Sequence, residues 1–287
     1  MSIPDKDNKY LSPPSDARPM VDESLYQELQ PYVDSAKALA RLTYKSLYII
    51  DYNKLNFLYV SSNPLFLCGE SVDEVMSKGY QFYYRHVPEE DLAFLQQVNQ
   101  AGFNFYKEIA ISERKEYTIS YNFRIIPTES KEPLLINHQL TPLKLDSSGN
   151  IWLSLCLVSL AHTREVGEVY VSAVNSNKRW RLSSRSGRWR QIEDLTLSEH
   201  EKAVVSLAHQ GLSVGEIAQI IHRSEDSVKG YRKALFQKLG VSNIAEAIAV
   251  ATSPLHHHIS GYSQGECITN ESSPSCMSSI AFAKTPS

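Results

Sequence analysis

Residues 195–251 read LTLSEHEKAVVSLAHQGLSVGEIAQIIHRSEDSVKGYRKALFQKLGVSNIAEAIAVA, and this stretch contains regularly spaced helix starts. Ser198 stands three residues before Glu201, and Ser213 stands three residues before Glu216. This is the spacing of a capping box, in which the hydroxyl and the carboxylate each accept a hydrogen bond from a free backbone amide at the start of a helix. The pattern therefore predicts short helices separated by tight turns.

The third predicted helix of this stretch has a polar outward face. A tight turn at Arg223 precedes Ser224, which caps the segment SVKGYRKALFQKL. Lys229, Lys233 and Gln237 recur every four residues and share one face of that helix, opposite an apolar stripe. A short helix, a turn and a longer helix with basic outward residues indicate a helix-turn-helix, whose last helix fits a DNA major groove about 12 Å wide.

Residues 195–251 resemble the LuxR/GerE-type tetrahelical DNA-binding domain over its whole length. The matching motifs are Glu-Lys in the first helix, Gly211, Glu-Ile-Ala in the second helix, Ser-Val-Lys at the start of the third, Lys-Leu-Gly-Val and Glu-Ala. The resemblance implies binding to double-stranded promoter DNA as a homodimer, with RNA polymerase as a partner if the protein is an activator. One alternative is a four-helix interaction module whose lysines form a solvated face. A sigma-factor-like region is disfavoured because strands, not polymerase-binding helices, are predicted upstream.

The predicted DNA contacts lie in the second and third helices and in the turn between them. They are Ser213, Arg223, Ser224, Ser227, Lys229, Gly230, Arg232 and Lys233. Lys229 and Lys233 match groove-facing positions of the family. Many members carry Thr-Val-Lys-x-His-Leu where this chain has Ser-Val-Lys-Gly-Tyr-Arg, so Tyr231 is expected to take over the packing and Arg232 to reach a phosphate. Gly230 costs an exposed helix about 1 kcal/mol relative to Ala, but it also lets the backbone approach a base edge, and the sequence does not decide between these effects.

The N-terminal half has the pattern of a mixed α+β domain. Two strand-like runs around Asn53 and Lys54 are followed by helical stretches, and then by strands from Tyr117, Leu134 and Ile151. This order, together with the sequence RHVPEEDL from Arg85 to Leu92, resembles the PAS sensor domain, a five-stranded antiparallel sheet with helices over one face. The resemblance implies a sensor of a small-molecule or protein signal. A GAF-like or autoinducer-binding domain has a similar strand count and remains an alternative.

The expected domain organisation follows from these patterns. It comprises a flexible arm over 1–35, a PAS-like domain over 36–165, a basic linker over 166–193, the helix-turn-helix domain over 194–253 and a disordered tail over 254–287. Within the linker, NKRWRLSSRSGRWRQ interleaves arginines with tryptophans. Such a segment can grip phosphates and stack on bases, but the favoured interpretation is a hairpin whose tryptophans pack on the sensor domain.

Composition agrees with a soluble regulator and provides no support for an enzyme. The chain has 287 residues and a net charge of −3, and it contains no apolar run of the ~20 residues that a membrane span needs. We therefore expect a cytoplasmic protein. No catalytic residues, metal ligands or cofactor are predicted, because no nucleophile–base set or nucleotide loop is evident, and His256, His257 and His258 lie in the predicted tail. The predicted function is a sensor-coupled transcription regulator, and the alternative is a protein-interaction adaptor.

Overall fold

The computed structural model describes residues 11–161, 166–174, 178–192 and 197–251, and an antiparallel sheet forms the centre of the first three ranges. Its strands are β1 Ser46–Asp51, β2 Asn56–Val60, β3 Tyr117–Ile125, β4 Leu134–Leu145, β5 Ile151–Leu160, β6 Gly167–Ala173, β7 Arg179–Leu182 and β8 Trp189–Ile192. Within these ranges the order across the sheet is β2-β1-β5-β4-β3-β6-β7-β8.

The helices are divided between the sheet and the C-terminal domain. The helices that accompany the sheet are α1 Gln30–Leu42, α2 Pro64–Leu67, α3 Val72–Lys78, α4 Gln81–His86 and α5 Glu89–Glu108. The helices of the C-terminal domain are α6 Glu199–His209, α7 Val214–Ile220, α8 Glu225–Leu239 and α9 Ile244–Ala251. The α+β fold class and the four-helix C-terminal region agree with the sequence prediction.

The first five positions of the sheet, β2-β1-β5-β4-β3, form the PAS-like domain. Short turns join β1 to β2 and β4 to β5, whereas helices α2–α5 lie between β2 and β3. Between β4 and β5, Asp146 Oδ1 accepts hydrogen bonds from the amides of Ser148 and Asn150 at 2.9 and 2.8 Å, while Gly149 adopts a positive φ of 86°. Such Asx hydrogen bonds and a left-handed glycine stabilise a tight reversal, so local chemistry sets this connection.

Helices α2–α5 and the sheet share a large apolar core. In α5, Leu95 and Val98 lie three residues apart and are both buried against this core. The core is rich in aromatic rings, and Phe66, for example, lies 4.1 Å from the ring of Tyr48 on β1. This core defines the face of the sheet that we call the inner face.

The expected flexible arm over 1–35 is wrong for residues 11–35, which pack against the domain. Ala17 and Leu29 are buried, and the hydroxyl of Tyr26 donates a hydrogen bond to Asp51 at 2.7 Å. Leu29 and α1 cover the outer face of β1 and β5, where they bury Trp152. The prediction failed because few apolar residues occur before residue 25, yet those present meet an apolar sheet face. Residues 1–10 lie outside the described residues.

The expected linker over 166–193 is also corrected, because β6, β7 and β8 extend the sheet beyond β3. Strand β6 pairs with β3, and β7 and β8 follow as successive antiparallel neighbours. The favoured interpretation of the tryptophans is confirmed. Trp180 and Trp189 each lie 5.3 Å from the ring of Phe105 on α5, and Trp189 Nε1 donates to the carbonyl of Ala101 at 3.1 Å.

Several predictions concern residues beyond those that the structure describes. The predicted disordered tail over 254–287, with its three consecutive histidines, lies outside the described residues. The first and last residues of the predicted 194–253 domain lie outside them as well. Within the described ranges, no helix is long and apolar enough to cross a membrane. In the same ranges, no cluster of His, Cys, Asp and Glu side chains is arranged to hold a metal ion.

Candidate nucleic-acid interface

Helix α8 is held in place by two apolar clusters. Leu235 belongs to one cluster, with Val205 of α6 and Ala247 of α9. Val228 belongs to the other, with Ile217 of α7 among its members. Both α8 residues are fully buried. Because the helix is anchored near both of its ends, its opposite face is presented to solvent on a rigid support.

Each predicted cap of this domain is formed. Ser198 and Ser213 make complete capping boxes with Glu201 and Glu216. At the start of α8, Ser224 Oγ accepts from the amide of Ser227 at 3.2 Å, and the two hydroxyls lie 2.9 Å apart. These side chains satisfy backbone amides that the helix itself leaves free, so the capping serines first serve to define where the helices start.

The turn between α7 and α8 places a histidine in an unusual backbone conformation. His222 has a positive φ of 53°, and the amide of Arg223 donates to the carbonyl of Ala218 at 2.9 Å. This resembles the left-handed end that helices often adopt with glycine. The Arg223 side chain is exposed beside this turn. The sequence indicated the tight turn but not the left-handed residue, because glycine is the usual signal for it.

The outward face of α8 carries Lys229, Gly230 and Lys233, all exposed. Lys229 Nζ pairs with Asp226 at 3.1 Å, whereas no described carboxylate lies within ion-pair distance of Lys233. A Cβ atom added at Gly230 meets nothing within 4 Å. Three predicted contacts therefore lie on the exposed face of α8, and Arg223 lies exposed in the turn that precedes it. We refer to Lys229, Gly230 and Lys233 as the α8 outer face.

Arg232 and Tyr231 occupy the sides of α8. Arg232 is half-buried, with its guanidinium carbon 5.8 Å from the ring centre of Phe236. Tyr231 packs as expected, but its ring is half-buried and stacks on His200 of α6 at 4.8 Å between ring centres. The sequence did not indicate this stacking, because the two residues lie 31 positions apart.

An ion pair also ties α6 to the end of α8. Glu201 is 3% exposed, and its Oε2 accepts from Lys238 Nζ and from the Ser198 amide, both at 2.7 Å. Burial disfavours its charged form, but these hydrogen bonds outweigh burial and hold the pKa of Glu201 below its ordinary value. The capping box predicted the bond to Ser198, whereas the bond to Lys238 depends on the tertiary fold.

Residues 195–251 match the family model "Bacterial regulatory proteins, luxR family". This part of the chain is a LuxR-type helix-turn-helix domain. The match spans α6 to α9, and it includes the turn that presents Arg223 and the α8 outer face. The chain therefore carries a C-terminal LuxR-type DNA-binding domain, and the sheet that precedes it has a PAS-like strand order. Curated proteins yielded no match to the chain.

Solved structures provide more distant likenesses. A phage VqmA–DPO complex is 16% identical over 79% of this chain and 89% of that chain, with a TM-score of 0.30. The Vibrio cholerae VqmA dimer without target DNA is 18% identical over 79% and 88%, also with a TM-score of 0.30. A sensory box histidine kinase/response regulator from Burkholderia thailandensis E264 is 14% identical over 47% and 84%, with a TM-score of 0.27. Because these TM-scores are low, we base the function on the family match and on the site geometry.

The PAS-like domain contains a cavity of about 60 Å³ between α4, α5 and the sheet. Its walls are mainly apolar and aromatic, and they include Val98, Gly102, Phe103 and Phe123. For comparison, an engineered apolar cavity in another protein that binds benzene has a volume of about 150 Å³. A ligand of more than a few heavy atoms therefore requires side chains of the wall to move.

Two polar groups of the cavity wall have no hydrogen-bond partner among the described residues. They are the hydroxyl of Tyr80 and Nδ1 of His138, both buried. His138 Nε2 lies 2.6 Å from the hydroxyl of Tyr48, which lies 2.7 Å from that of Tyr83. Burial lowers the pKa of His138 from 6.5 to about 3 and raises the pKa of Tyr80 well above 10, so both groups are uncharged. Buried polar atoms are normally paired, and these two are the unpaired polar atoms of the described cavity wall.

Proposed function

We propose that the chain is a homodimeric transcription regulator in which α8 reads promoter DNA and the PAS-like domain alters that binding when it takes up a small uncharged molecule. The first part of this proposal, DNA reading by α8, is supported by the α8 outer face. Lysines donate to guanine edges in the major groove, each such contact contributing about 1–3 kcal/mol of discrimination. Lys229 and Lys233 are exposed one turn apart on the helix that fits the groove.

The remaining predicted contacts suit the phosphate backbone. Arg223 is exposed beside the α7–α8 turn. Ser213 caps the start of α7, and Ser224 and Ser227 lie at the start of α8. Hydroxyl and guanidinium groups bind phosphates without regard to base sequence. Arg232 can join them only if its guanidinium moves away from Phe236. These groups orient α8 while its outer face selects the sequence.

The cavity supports the sensing part of the proposal. Its unpaired polar atoms, Tyr80 Oη and His138 Nδ1, are uncharged, so a charged ligand is left without a counter-charge and is disfavoured by desolvation. A small neutral molecule with a hydrogen-bonding group at one end satisfies both atoms and the apolar walls. The coupling route that we propose runs from α5, which lines the cavity, through the Trp189–Ala101 hydrogen bond to β8 and then to the LuxR-type domain.

A homodimer fits this mode of binding, because one small module makes few base contacts and paired half-sites supply more. Helix α9 is the proposed dimer surface. Ala245 is exposed there, and Ile248 and Ala249 are half-buried. The next residue of this surface, Thr252, lies outside the described residues. Contact with RNA polymerase and a cytoplasmic location belong to the same proposal, which includes no catalytic step.

The DNA part is tested by selecting duplexes from a random pool with the full chain and then measuring affinity for the selected and a scrambled duplex. We expect a selective complex with two protomers per site in analytical ultracentrifugation. Equal affinity for both duplexes contradicts DNA reading and supports the adaptor. One protomer per site contradicts the homodimer.

The sensing part is tested by native mass spectrometry of the full chain expressed in cells. We expect a co-purifying molecule of low mass, and we expect Tyr80→Phe to reduce its occupancy while the fold is retained. Tyr59→Phe is the matched control because Tyr59 packs on the outer face with Trp152 and Leu29. Unchanged occupancy in Tyr80→Phe contradicts the proposed contact, and turnover of the bound molecule contradicts a purely regulatory role.

A further inference from the structure

The outer face of β7 and β8 is rich in arginine. Direct cross-strand partners share a face, and Arg181 on β7 is the partner of both Tyr170 on β6 and Arg190 on β8. The intervening residues Trp180 and Trp189 point to the opposite, inner face, where they contact Phe105. The strand alternation therefore separates the tryptophans from the arginines.

The arginines of this surface are available to a partner. Arg181 and Arg190 are exposed, and so are Arg185 and Arg188 in the turn that joins β7 to β8. None of the described carboxylates lies within ion-pair distance of these four side chains. We call Arg181, Arg185, Arg188 and Arg190 the arginine face.

The arginine face is not explained by the stability of the sheet. Like charges directly opposite each other on neighbouring strands are destabilising, and Arg181 lies directly opposite Arg190. Among the described residues between 166 and 192, six are basic and one, Glu168, is acidic. An anionic partner relieves this repulsion. The planar guanidinium group suits phosphate, which it binds through two parallel hydrogen bonds.

Chain connectivity brings this surface close to the DNA. Strand β8 ends at Ile192 and α6 begins at Glu199, and seven residues span at most about 25 Å. A duplex bound by α8 can therefore approach the arginine face, and a duplex has one phosphate charge about every 1.7 Å of its axis.

We propose that the arginine face binds the phosphate backbone of DNA beside the segment that α8 reads. This inference rests on the proposed function, since it requires α8 to hold the duplex. Guanidinium groups that bind phosphate oxygens read no base identity, so the arginine face contributes affinity without sequence preference. The sensor sheet and the LuxR-type domain then hold the same duplex, and a movement of β8 changes DNA affinity directly.

The test is a salt titration of DNA binding by the full chain, on the selected duplex and on a scrambled duplex of equal length. We expect Arg181→Gln/Arg190→Gln to lower the slope of log K against log salt by about two units and to weaken binding about ten- to hundredfold at 0.1 M salt. Both duplexes lose affinity alike, so their affinity ratio is unchanged. Arg185→Gln/Arg188→Gln in the exposed turn behaves similarly.

The matched control removes the same number of charges at the far edge of the sheet. Lys37→Gln/Arg41→Gln lies on α1, which packs near β1 and β2, and we expect it to leave slope and affinity unchanged. Arg181→Lys/Arg190→Lys keeps the charges and is expected to retain most of the slope. If the glutamine variant of β7 and β8 fails to fold in a thermal melt, the turn variant and the lysine variant decide the result.

The outcomes separate this inference from the proposed function. If the unsubstituted chain does not prefer the selected duplex, the proposed function fails. If it binds selectively but the arginine and control variants have equal slopes, only the arginine face is overturned. A change in self-association without a change in slope also overturns it, because a second copy of the chain is then the partner of this surface.

Discussion

Lys229 and Lys233 occupy similar positions on α8 but differ in their surroundings. Lys229 must leave Asp226 before it can contact a base, and an exposed ion pair contributes only about 0–1 kcal/mol. We expect both Lys229→Ala and Lys233→Ala to weaken binding and reduce the preference for the selected duplex, by about 1–3 kcal/mol for a lysine that donates to guanine, with the smaller net loss at Lys229.

The measurement is a competition titration with base-substituted duplexes. Lys202→Ala is the control because Lys202 lies on α6 and pairs with Glu199. If both α8 variants retain full affinity and selectivity while folded, α8 is not the reader and the adaptor interpretation is favoured.

At Gly230, the cost of glycine to stability and its expected benefit for DNA binding can be measured separately. A Cβ atom at this exposed helical position meets nothing, so Gly230→Ala should raise the free energy of unfolding by about 1 kcal/mol. We expect the same variant to bind DNA more weakly, because the added methyl group holds the backbone away from the groove. A thermal melt and a DNA titration on one sample measure both quantities. Raised stability with unchanged affinity argues against close backbone approach.

At the scale of elements, Glu201 connects α6 to α8 and makes their packing sensitive to acid. Its pKa is lowered in the folded chain from 4.5. Its contribution to stability is therefore complete above about pH 4.5 and is lost as the pH falls through the lowered value. We expect Glu201→Gln to be less stable than the parent at pH 7 and to lose less stability between pH 5 and 3.

The free energy of unfolding is measured by urea titration of the full chain at each pH. The exchange of amide protons in α6 and α8 reports the unfolding of the LuxR-type domain. Glu199→Gln is the control, since Glu199 is exposed and pairs only with nearby Lys202. Parallel pH profiles for the parent and Glu201→Gln contradict the assignment.

At the scale of the whole molecule, Trp189 connects the cavity wall to the strand that leads to the LuxR-type domain. Trp189→Phe keeps the ring contact with Phe105 but removes the donor to the Ala101 carbonyl, and a hydrogen bond of this kind contributes about 1 kcal/mol. We expect faster amide exchange in β7 and β8 and a reduced free energy of unfolding. Trp180→Phe, which has a similar contact with Phe105, is the control. Equal exchange in the two variants contradicts a special role for Trp189.

Local sequence determined the elements whose signals lie within a few residues. The capping serines defined the starts of α6, α7 and α8, and strand-like runs indicated β1 to β5. The outward position of Lys229 and Lys233 also followed from helical periodicity. These features are set by hydrogen bonds and side-chain spacing between residues close together in the chain. They can therefore be predicted from the sequence.

Tertiary structure decided the features that depend on what a segment meets. The order of residues 11–35 and 166–192 comes from an apolar sheet face and from Phe105 on α5. Likewise, the unpaired atoms of Tyr80 and His138 become a candidate ligand site only when distant elements enclose them. Burial free energy depends on the surface that a side chain covers, and that surface is supplied by residues far away in the sequence.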